Sequence, residues 1–551
     1  MPRTIRVVFN KQPIEAPINV SIAELLVDHP HPGEVPAIGA IVDNQLSGLG
    51  RRLRGDTAVD TVDQTSKAGA EIFRRTAVLL LTRAVETLYP ECHVIVGQSI
   101  ANGYFFDLRG RPNTAELAKA IEAEMLRISD ADAPIRFSIM PVDEVIRYYD
   151  ERGLHSKANI LRISRFSEVL TAQLEGRLTY PYGPLATHAG VVRNFTVIPY
   201  EDGLVLRFPD RRGRTVRRLA PQPRLFGAFR ESSRWNELIG VSNLSELNRA
   251  LIEGRAGQLI RLAEGLHEKK IVQVADMIAA RRSATRLVTI SGPSSSGKTT
   301  FSKRLDIQLR VNGIEPVTLS LDNYYLPPEE SPTHPDGTRD FEHLEALDLP
   351  LLREQLPRLI AGEKVDTPLF DFAIHRRRTD KALTVQLRPD QVLVIEGIHA
   401  LNPRLTETIA PEAKFKIFVS ALTQLMIDEH NRIFTSDGRL IRRIVRDRLF
   451  RNYSAQSTIE MWDSVRLGEQ RWIFPFQEDC DVLFNSAHIY EHALLKTYAV
   501  RFLMETPRES PAFVEADRLL SFLDLFIPIL PEEVPGTSVL REFIGGSVFS
   551  Y

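Results

Sequence analysis

Hydrophobic and polar positions alternate at the start of the chain. Ile5, Val7 and Phe9 occupy every second position, and after several turn-forming residues a second apolar run covers residues 37–42. A period of two is typical of a strand with one buried face. Residues 1–65 are therefore predicted to form a small β-rich domain.

Helical and strand-like patterns are mixed over residues 66–225, which predicts an α+β domain. The patterns are a helix over 70–88 that stops at Pro90, a strand-like stretch over 94–108 with the turn signal Asn102-Gly103, and a second helix over 114–128. Residues 226–282 are predicted to be a helical connector, because apolar residues recur three and four apart over 243–253 and 258–281.

Five apolar runs follow from residue 286, and helical patterns separate most of them. The runs cover residues 287–291, 316–321, 392–395, 414–419 and 481–484. This alternation predicts an α/β fold in which helices cover both faces of a parallel sheet. In such sheets the ligand lies beyond the carboxyl ends of the strands, which here carry Gly292, Asp322, Glu396, Ser420 and Asn485.

Composition narrows the class of protein. Of 551 residues, 69 are Lys or Arg and 71 are Asp or Glu, so the net charge is −2. A near-neutral chain is not expected to coat nucleic acid along its length. Two cysteines, Cys92 and Cys480, exclude a disulfide scaffold or a cysteine zinc site. With no apolar run of membrane-spanning length and no signal-peptide pattern, we expect a cytoplasmic protein without a membrane partner.

A phosphate-binding motif directly follows the first apolar run. Its residues, Gly292, Pro293, Ser294, Ser295, Ser296, Gly297, Lys298 and Thr299, match G-x-x-x-x-G-K-[ST]. The glycines let the backbone wrap a phosphate, and the helix that begins near Lys298 adds its positive end. Lys298 is predicted to reach the β- and γ-phosphates and Thr299 to ligate Mg²⁺. Together with Thr300, these residues are the predicted nucleotide site.

Two acidic residues at other strand ends bear on the chemistry, since the loop alone leaves open whether the γ-phosphate goes to water or to a hydroxyl. Asp322 could accept the proton of an attacking hydroxyl, or it could cap a turn beside Asn323. Glu396 ends a buried apolar strand, where an unpaired carboxylate is costly unless it serves a cation. Glu396 is therefore a predicted Mg²⁺ ligand.

Four arginines recur at i, i+3, i+4 and i+7 and so share one face of a predicted helix: Arg439, Arg442, Arg443 and Arg446. Like charges on one face repel unless something anionic compensates them. We interpret this helix as a lid over transferring phosphates, and a solvated face or a nucleic-acid contact are the alternatives.

Six blocks in order resemble the uridine kinase and phosphoribulokinase family of P-loop kinases over roughly residues 285–500. They are GPSSSGKTT, SLDNYYLP, DFEHLEALD, TPLFDFAIHRRR, VLVIEGIHAL and GRLIRRIVRD. The resemblance implies a kinase domain over 283–505 that uses Mg²⁺ and takes ATP or GTP as phosphate donor. A C-terminal extension over 506–551 matches nothing that we can assign.

The same resemblance assigns roles to individual residues. It implies that Lys298 and Asp322 are catalytic, with Asp322 as the base, that Arg442 and Arg446 are lid arginines, and that the acceptor contacts Tyr324, Glu342, Phe370 and His375. Glu342 and Phe370 replace an aspartate and a tyrosine of uridine kinases, and Tyr453 stands in place of an arginine. Phosphoryl transfer is therefore better supported than pyrimidine specificity.

The first 225 residues resemble the N-terminal part of threonyl-tRNA synthetase: a β-grasp-like TGS domain and then an editing-type domain. The block FRRTAVLLLTRAVETLYPECHVIVGQSIANGYFFDL carries the likeness. The four editing-site positions are here Arg75, Leu79, Pro181 and Leu185, none of which can ligate a metal or move a proton. Aminoacyl-tRNA editing is therefore not expected. The whole arrangement is similar to a bacterial family of TGS-containing nucleoside kinases.

Three functions are compatible with these patterns. The leading hypothesis is an ATP- or GTP-dependent kinase for the 5′-hydroxyl of a nucleoside, uridine or cytidine first. A kinase for a sugar phosphate of the ribulose 5-phosphate type is the second, with Arg376–Arg378 as the extra cations. The third is an RNA-binding regulator that uses the P-loop as a switch, with RNA contacting the N-terminal half. We also expect a homo-oligomer.

Overall fold

The computed structural model describes residues 3–100, 102–210, 219–335, 337–371, 376–378 and 382–550. Within these ranges, no helix is long and apolar enough to span a lipid bilayer. In the described residues the larger sheets contain five, four, three and five strands in the order in which their first strands occur along the chain, and two short two-stranded sheets accompany the last.

The N-terminal sheet confirms the predicted period-two strand. Its elements are β1 (Thr4–Phe9), β2 (Gln12–Pro17), α1 (Ile22–Asp28), β3 (Gly39–Val42), β4 (Gln45–Ser47) and β5 (Thr57–Val62). The strand order is β2-β1-β5-β3-β4, with β1 antiparallel to β2 and parallel to β5. Ile5, Val7 and Phe9 all point into one core with Ile22 and Leu25 of α1.

Residues 67–207 form the predicted α+β unit. The elements are α2 (Lys67–Leu88), β6 (His93–Ile100), β7 (Gly103–Arg109), α3 (Ala115–Asp130), β8 (Ile135–Pro141), α4 (Val142–Asp150), α5 (His155–Arg162), β9 (Glu168–Leu174), β10 (Arg177–Thr179), β11 (Thr196–Tyr200) and β12 (Gly203–Arg207). They make one sheet in the order β11-β12-β7-β6 and another in the order β10-β9-β8. The predicted turn joins β6 to β7, and Asn102 there has the left-handed φ of 62°.

Three helices follow: α6 (Pro223–Ile239), α7 (Leu244–Ile252) and α8 (Ala256–Ala280). The last two confirm the helical patterns read from the sequence. Asn243 caps α7 through a reciprocal pair of bonds with Glu246, which fixes where that helix begins.

The C-terminal half is built on a parallel sheet in the order β14-β19-β13-β20-β21. Its elements and their neighbours are β13 (Leu287–Ser291), α9 (Lys298–Val311), β14 (Glu315–Ser320), α10 (Leu349–Ile360), β15 (Lys364–Thr367), β16 (Phe370–Asp371), β17 (Arg376–Arg377), β18 (Leu383–Gln386), β19 (Gln391–Glu396), α11 (Pro403–Thr406), β20 (Lys414–Ser420), α12 (Thr435–Phe450), α13 (Ala455–Trp472), β21 (Val482–Asn485), α14 (Glu491–Met504), α15 (Phe513–Asp524) and α16 (Arg541–Ile544). All five predicted strands are present, and so is the α/β class.

Helices cover both faces of this sheet, as a doubly wound fold requires. Leu287 lies in one core with the leucines of α10, whereas its neighbour Val288 lies in another with Phe301 of α9 and Val274 of α8. The long helix α8 therefore does more than connect, because it covers part of one face of this parallel sheet. The sequence pattern predicted the helix but not this role.

The division of the chain at residues 65, 225, 282 and 505 stays a prediction, and one core that includes Ile160 of α5 crosses three of these boundaries. Leu247 of α7, Leu440 of α12, and Leu519 and Phe543 of the C-terminal extension all belong to the same buried cluster. The extension is thus integrated into the C-terminal half, which explains its high apolar content.

A buried ion pair joins the two halves of the chain. Asp428, in the loop between β20 and α12, accepts a bond from Lys157 at 3.0 Å, and only 4% of the lysine side chain and 0% of the aspartate side chain are exposed. Close by, the Val96 N–H of β6 donates to the Glu429 carbonyl oxygen at 2.8 Å. The N-terminal half therefore holds the loop that leads into α12.

Replacing Lys157 with methionine should lower the free energy of unfolding by about 3 kcal/mol, because Asp428 would remain buried without its cation. Equilibrium urea unfolding measures this. Arg165→Ala is the matched control, since its pair with Asp524 spans 3.4 Å between side chains that are 80% and 55% exposed; it should cost less than about 1 kcal/mol. Equal losses for the two variants would contradict a structural joint at Asp428.

Candidate active site

The phosphate-binding motif forms the turn between β13 and α9. A β-carbon on Gly292 would collide with the carbonyl oxygen of Val419, so this position requires glycine. Gly297 has a left-handed φ of 81° and caps α9, and a β-carbon there would collide with Val539. The Lys298 side chain is 8% exposed and donates to the Pro293 carbonyl oxygen at 3.2 Å. The predicted loop geometry is therefore present.

Two arginines of α12 brace this loop from behind. Arg439 donates to the Ser294 carbonyl oxygen at 3.2 Å and forms a bidentate ion pair with Glu469. Arg442 pairs with Glu491 at 2.5 Å and donates to the Ser486 carbonyl oxygen at 2.9 Å. Both arginines are fully buried. Buried carboxylates thus compensate charges that would otherwise repel, and the helix is fixed against the loop.

This placement corrects the role predicted for Arg442. Its guanidinium bonds are already directed to Ser486 and Glu491, and 0% of its surface is exposed, so it does not line an open face of the site. Arg442 is a bracing residue in this structure. The four-residue stripe predicted one chemical role for all its members, but the packing of α12 separates them.

The other two arginines of the stripe lie nearer the candidate chemistry. Arg443 donates to the Ser294 hydroxyl at 2.9 Å, and Arg446 pairs with Asp447 at 2.7 Å. The positive charge of Arg446 acts on Asp322, as that of Arg451 does. The lid role predicted for Arg446 stays a prediction. Arg443 belongs to the predicted stripe, and its bond to Ser294 places it at the phosphate loop, although the resemblance assigned it no role of its own.

Asp322 and Glu396 lie at neighbouring strand ends. β14 and β19 are paired up to Ser320 and Glu396, and Asp322 follows in a short 3₁₀ turn. Burial raises the pKa of both carboxyls, that of Glu396 to about 7, and the charge of Lys298 is the main opposing influence on each pKa. The fold therefore brings the predicted base, the predicted metal ligand and the loop lysine within range of one another's charges.

The residues predicted to hold Mg²⁺ suit that ion. A threonine hydroxyl at position 299 and the carboxylate of Glu396 are hard oxygen donors, and the nearby carboxylate of Asp322 adds a second acidic group. Over the described ranges, no group of three His, Cys, Asp or Glu side chains is placed to hold a metal by itself. A cation that uses one or two carboxylates together with substrate phosphates fits this donor set.

Tyr324 is wrongly predicted as an acceptor contact. Its side chain is 0% exposed in a leucine-rich core, and its hydroxyl donates to Gln355 at 2.7 Å. The next residue, Tyr325, packs partly against the same core but lies close enough to Asp322 and Glu342 for their charges to act on it. The pKa of Tyr325 lies well above its usual value, chiefly because it is buried and also because Asp322 and Glu342 are close.

Two of the remaining acceptor predictions, Phe370 and Glu342, lie near Tyr325. Its ring centroid is 6.1 Å from that of Phe370, and the Phe370 N–H donates to Asn323 at 3.2 Å. Burial raises the pKa of Glu342 to about 7, against the opposing charges of Arg443 and Lys298. His375 lies outside the described residues. Glu342 and Phe370 thus border the site, and their contact with an acceptor stays a prediction.

The sequence analysis did not select two further side chains near the site, those of His399 and Glu542. His399, three residues after Glu396, is 1% exposed, and burial lowers its pKa to about 3. Glu542, from the C-terminal extension, accepts bonds from the N–H and hydroxyl of Thr300 at 3.1 and 2.7 Å. A sequence separation of 242 residues left no local signal for that contact.

The editing-site positions of the N-terminal half are filled. Arg75 pairs with Glu71 at 2.8 Å and donates to the Pro184 carbonyl oxygen at 3.2 Å. Leu79 and Leu185 are buried in one apolar core. An ion pair and packed leucines occupy this part of the fold, in agreement with the loss of the catalytic side chains.

The raised pKa of Glu396 leads to a pH prediction. Its carboxyl is largely protonated below about pH 7 and ionised above it, so a cation-binding role predicts that kcat/KM rises between about pH 6 and about pH 8. Glu396→Gln should lower activity and flatten this rise. A pH profile of phosphoryl transfer measures both effects, and an unchanged slope in the variant would assign the rise to another group.

Both halves of the chain are similar to known proteins. The model of the Phosphoribulokinase / Uridine kinase family matches residues 287–491. The uridine kinase of Deinococcus deserti is 30% identical over 209 residues, which is 38% of this chain and 91% of that protein. The threonine–tRNA ligase of Methylibium petroleiphilum is 30% identical over 186 residues in the N-terminal region, which is 33% of this chain.

This chain spans only 29% of the length of that ligase. Among solved structures, a possible uridine kinase from Bacillus stearothermophilus is 18% identical with a TM-score of 0.28, covering 39% of this chain and 98% of that one. Since the match to the Deinococcus enzyme covers nearly all of that protein and the P-loop, strand ends and parallel sheet occur within the matched residues, the chain belongs to the phosphoribulokinase/uridine kinase family, with a threonyl-tRNA synthetase-like region fused before the kinase.

Proposed function

We propose that this phosphotransferase moves the γ-phosphoryl group of ATP or GTP to the 5′-hydroxyl of a nucleoside, with uridine or cytidine preferred. The observation that carries the proposal is the common location of Lys298, Asp322 and Glu396 at the ends of β13, β14 and β19. Hydrolysis requires a positioned water, whereas a buried carboxylate beside the cation site gives an acceptor hydroxyl its base.

In this proposal separate residues bind the phosphates, hold the cation and accept the proton. Backbone N–H groups of the loop and the start of α9 bind the phosphates, and Lys298 neutralises charge on them. Thr299 and Glu396 hold Mg²⁺, which when bound draws charge from the phosphate oxygens. Asp322 accepts the hydroxyl proton as the new O–P bond forms, and its raised pKa makes it a stronger base than an exposed aspartate.

The acceptor side suits a planar base joined to a diol. Tyr325 and Phe370 offer two tilted rings at one edge, and the Glu342 carboxylate lies near enough to Tyr325 to act on its pKa. Rings of this kind contact a base by its face, and a carboxylate binds paired hydroxyls. These features support a nucleoside over a simple sugar.

The sugar-phosphate alternative has less support. It needs free cations for the acceptor's own phosphate, but Arg376 pairs with Glu329 at 2.7 Å and Arg377 pairs with Asp348 at 2.9 Å. Contact between the N-terminal half and RNA stays a prediction, as does self-association.

An acceptor panel at fixed donor concentration tests the proposal. Purified full-length chain with Mg²⁺ and ATP or GTP is incubated with uridine, cytidine, adenosine or ribulose 5-phosphate, and products are identified by mass spectrometry. The proposal expects a pyrimidine nucleoside monophosphate as the main product. Faster transfer to ribulose 5-phosphate, or donor hydrolysis that no acceptor stimulates, would overturn it.

A further inference from the structure

Residues 531–550, here called the C-terminal segment, are anchored beside the phosphate loop. Leu540 and Phe543 are 0% exposed in the core that contains α12. Arg541 ties the segment to itself by donating to the carbonyl oxygens of Pro531 and Val534 at 2.7 and 2.6 Å. The segment is therefore a packed part of the fold, and its apolar anchors and internal bonds hold it against the core that contains α12.

One side chain of this segment uses the donors of the loop helix. Glu542 accepts bonds from the Thr300 N–H and hydroxyl at 3.1 and 2.7 Å, in the first turn of α9. Thr300 directly follows the G-K-T end of the motif, where backbone N–H groups face bound phosphates. A carboxylate there satisfies the same donors as a phosphate oxygen and answers the same helix dipole.

A further contact shows that the segment lies over the loop itself. Val539 is 2% exposed and packs so closely on Gly297 that a β-carbon at that glycine would collide with it. Across the described part of the chain, no lysine or arginine forms an ion pair with Glu542, which lies close enough to Glu396 to act on it as a like charge. The Glu542 carboxylate is thus held by phosphate-type donors without a cation of its own.

We propose that the C-terminal segment is a built-in inhibitor of nucleotide binding, in which Glu542 occupies donors that an incoming triphosphate must take over. This inference rests on the proposed function only in taking residues 292–300 as the triphosphate site. The apolar anchors Leu540 and Phe543 stay in place while the carboxylate leaves Thr300, so the inhibition is relieved by a local change. The nucleotide competes with a tethered anion of the same chain.

Competition of this kind raises the apparent Kd for the nucleotide, which equals the intrinsic Kd divided by the fraction of molecules in which the site is open. If the carboxylate occupies Thr300 in roughly nine molecules of ten, its removal tightens nucleotide binding about tenfold. Because the anion is tethered, the effect does not depend on protein concentration.

The test measures ATP affinity by isothermal titration calorimetry in the presence of EDTA, with the full-length chain. Glu542→Ala and Glu542→Gln should each lower the Kd at least about tenfold relative to the wild type. Glu533→Gln is the matched control in the same segment, since Glu533 faces the 70% exposed Arg261 at 3.4 Å, and its Kd should equal that of the wild type. Adding Lys298→Ala to Glu542→Ala should abolish the gain.

Any of four results would contradict the proposed inhibitory role of the C-terminal segment. They are an unchanged Kd in both Glu542 variants, the same gain in the control, a gain that survives Lys298→Ala, or no ATP binding in any variant. Failure of the proposed function is distinguishable: in that case the Glu542 variants bind ATP more tightly, and yet no nucleoside receives a phosphoryl group.

Discussion

Replacing Lys298 by alanine should reduce kcat for phosphoryl transfer by roughly 10²–10³. The side chain is almost fully buried at the loop, and its charge opposes the raised pKa of Asp322, Glu342 and Glu396 at once. Its removal takes a fixed positive charge from the place where phosphate oxygens gain negative charge. Preorganised charge in a buried site is worth far more than the same charge in water.

The same variant has a second expected consequence. Without Lys298 the pKa of Glu396 rises further, so any residual activity should reach its midpoint above about pH 7. Coupled measurement of ADP release across pH gives both results. Lys269→Ala, an exposed lysine on α8, is the control and should retain wild-type turnover. A Lys298 variant that kept wild-type kcat would show that the loop does not bind the transferred phosphate.

Replacing Asp322 by asparagine should lower kcat by roughly 10²–10⁴, because the amide keeps the shape of the side chain but cannot accept the hydroxyl proton. ATP affinity should not weaken, since a negative charge near Lys298 is lost and no donor to phosphate is removed. The separation of kcat from binding distinguishes a base from a structural residue.

Steady-state kinetics with the acceptor that gives the fastest transfer in the panel, together with ATP titration, measures the Asp322 effect. Asp390→Asn is the matched control, because that side chain is 60% exposed near the opposite end of β19. A variant with unchanged kcat would remove Asp322 from the mechanism. A variant that failed to bind ATP would assign it to nucleotide binding.

Ion pairs connect the N-terminal half of the chain to α12 in the C-terminal half. Lys157 reaches the loop before α12 through Asp428, and Lys67 of α2 lies 3.7 Å from Glu515, which pairs with Arg518. Arg518 in turn makes a bidentate pair with Asp437 in the first turn of α12. The helix whose arginines brace the phosphate loop is therefore held from the N-terminal side as well.

The sequence by itself determined the phosphate loop, the five parallel strands and the acidic strand ends. These features are local: two glycines with a lysine at fixed spacing dictate a backbone path, and apolar runs of strand length must be buried. Because parallel strands end at the same edge, Asp322 and Glu396 were placed near Lys298 without knowledge of the packing. The loss of the editing residues was likewise readable position by position.

Only the tertiary structure decided which side chains face the site. A short 3₁₀ turn buries Tyr324 in the core and leaves Tyr325 near Asp322 and Glu342. The packing of α12 turns Arg442 toward Glu491, while Arg446 stays near Asp322. The contact of Glu542 with Thr300 joins residues that are 242 positions apart. Sequence patterns report the period of an element and which face is apolar. They do not report which distant element of the chain packs on that face. In this protein the C-terminal segment packs there, and it places the Glu542 carboxylate on the N–H and hydroxyl of Thr300.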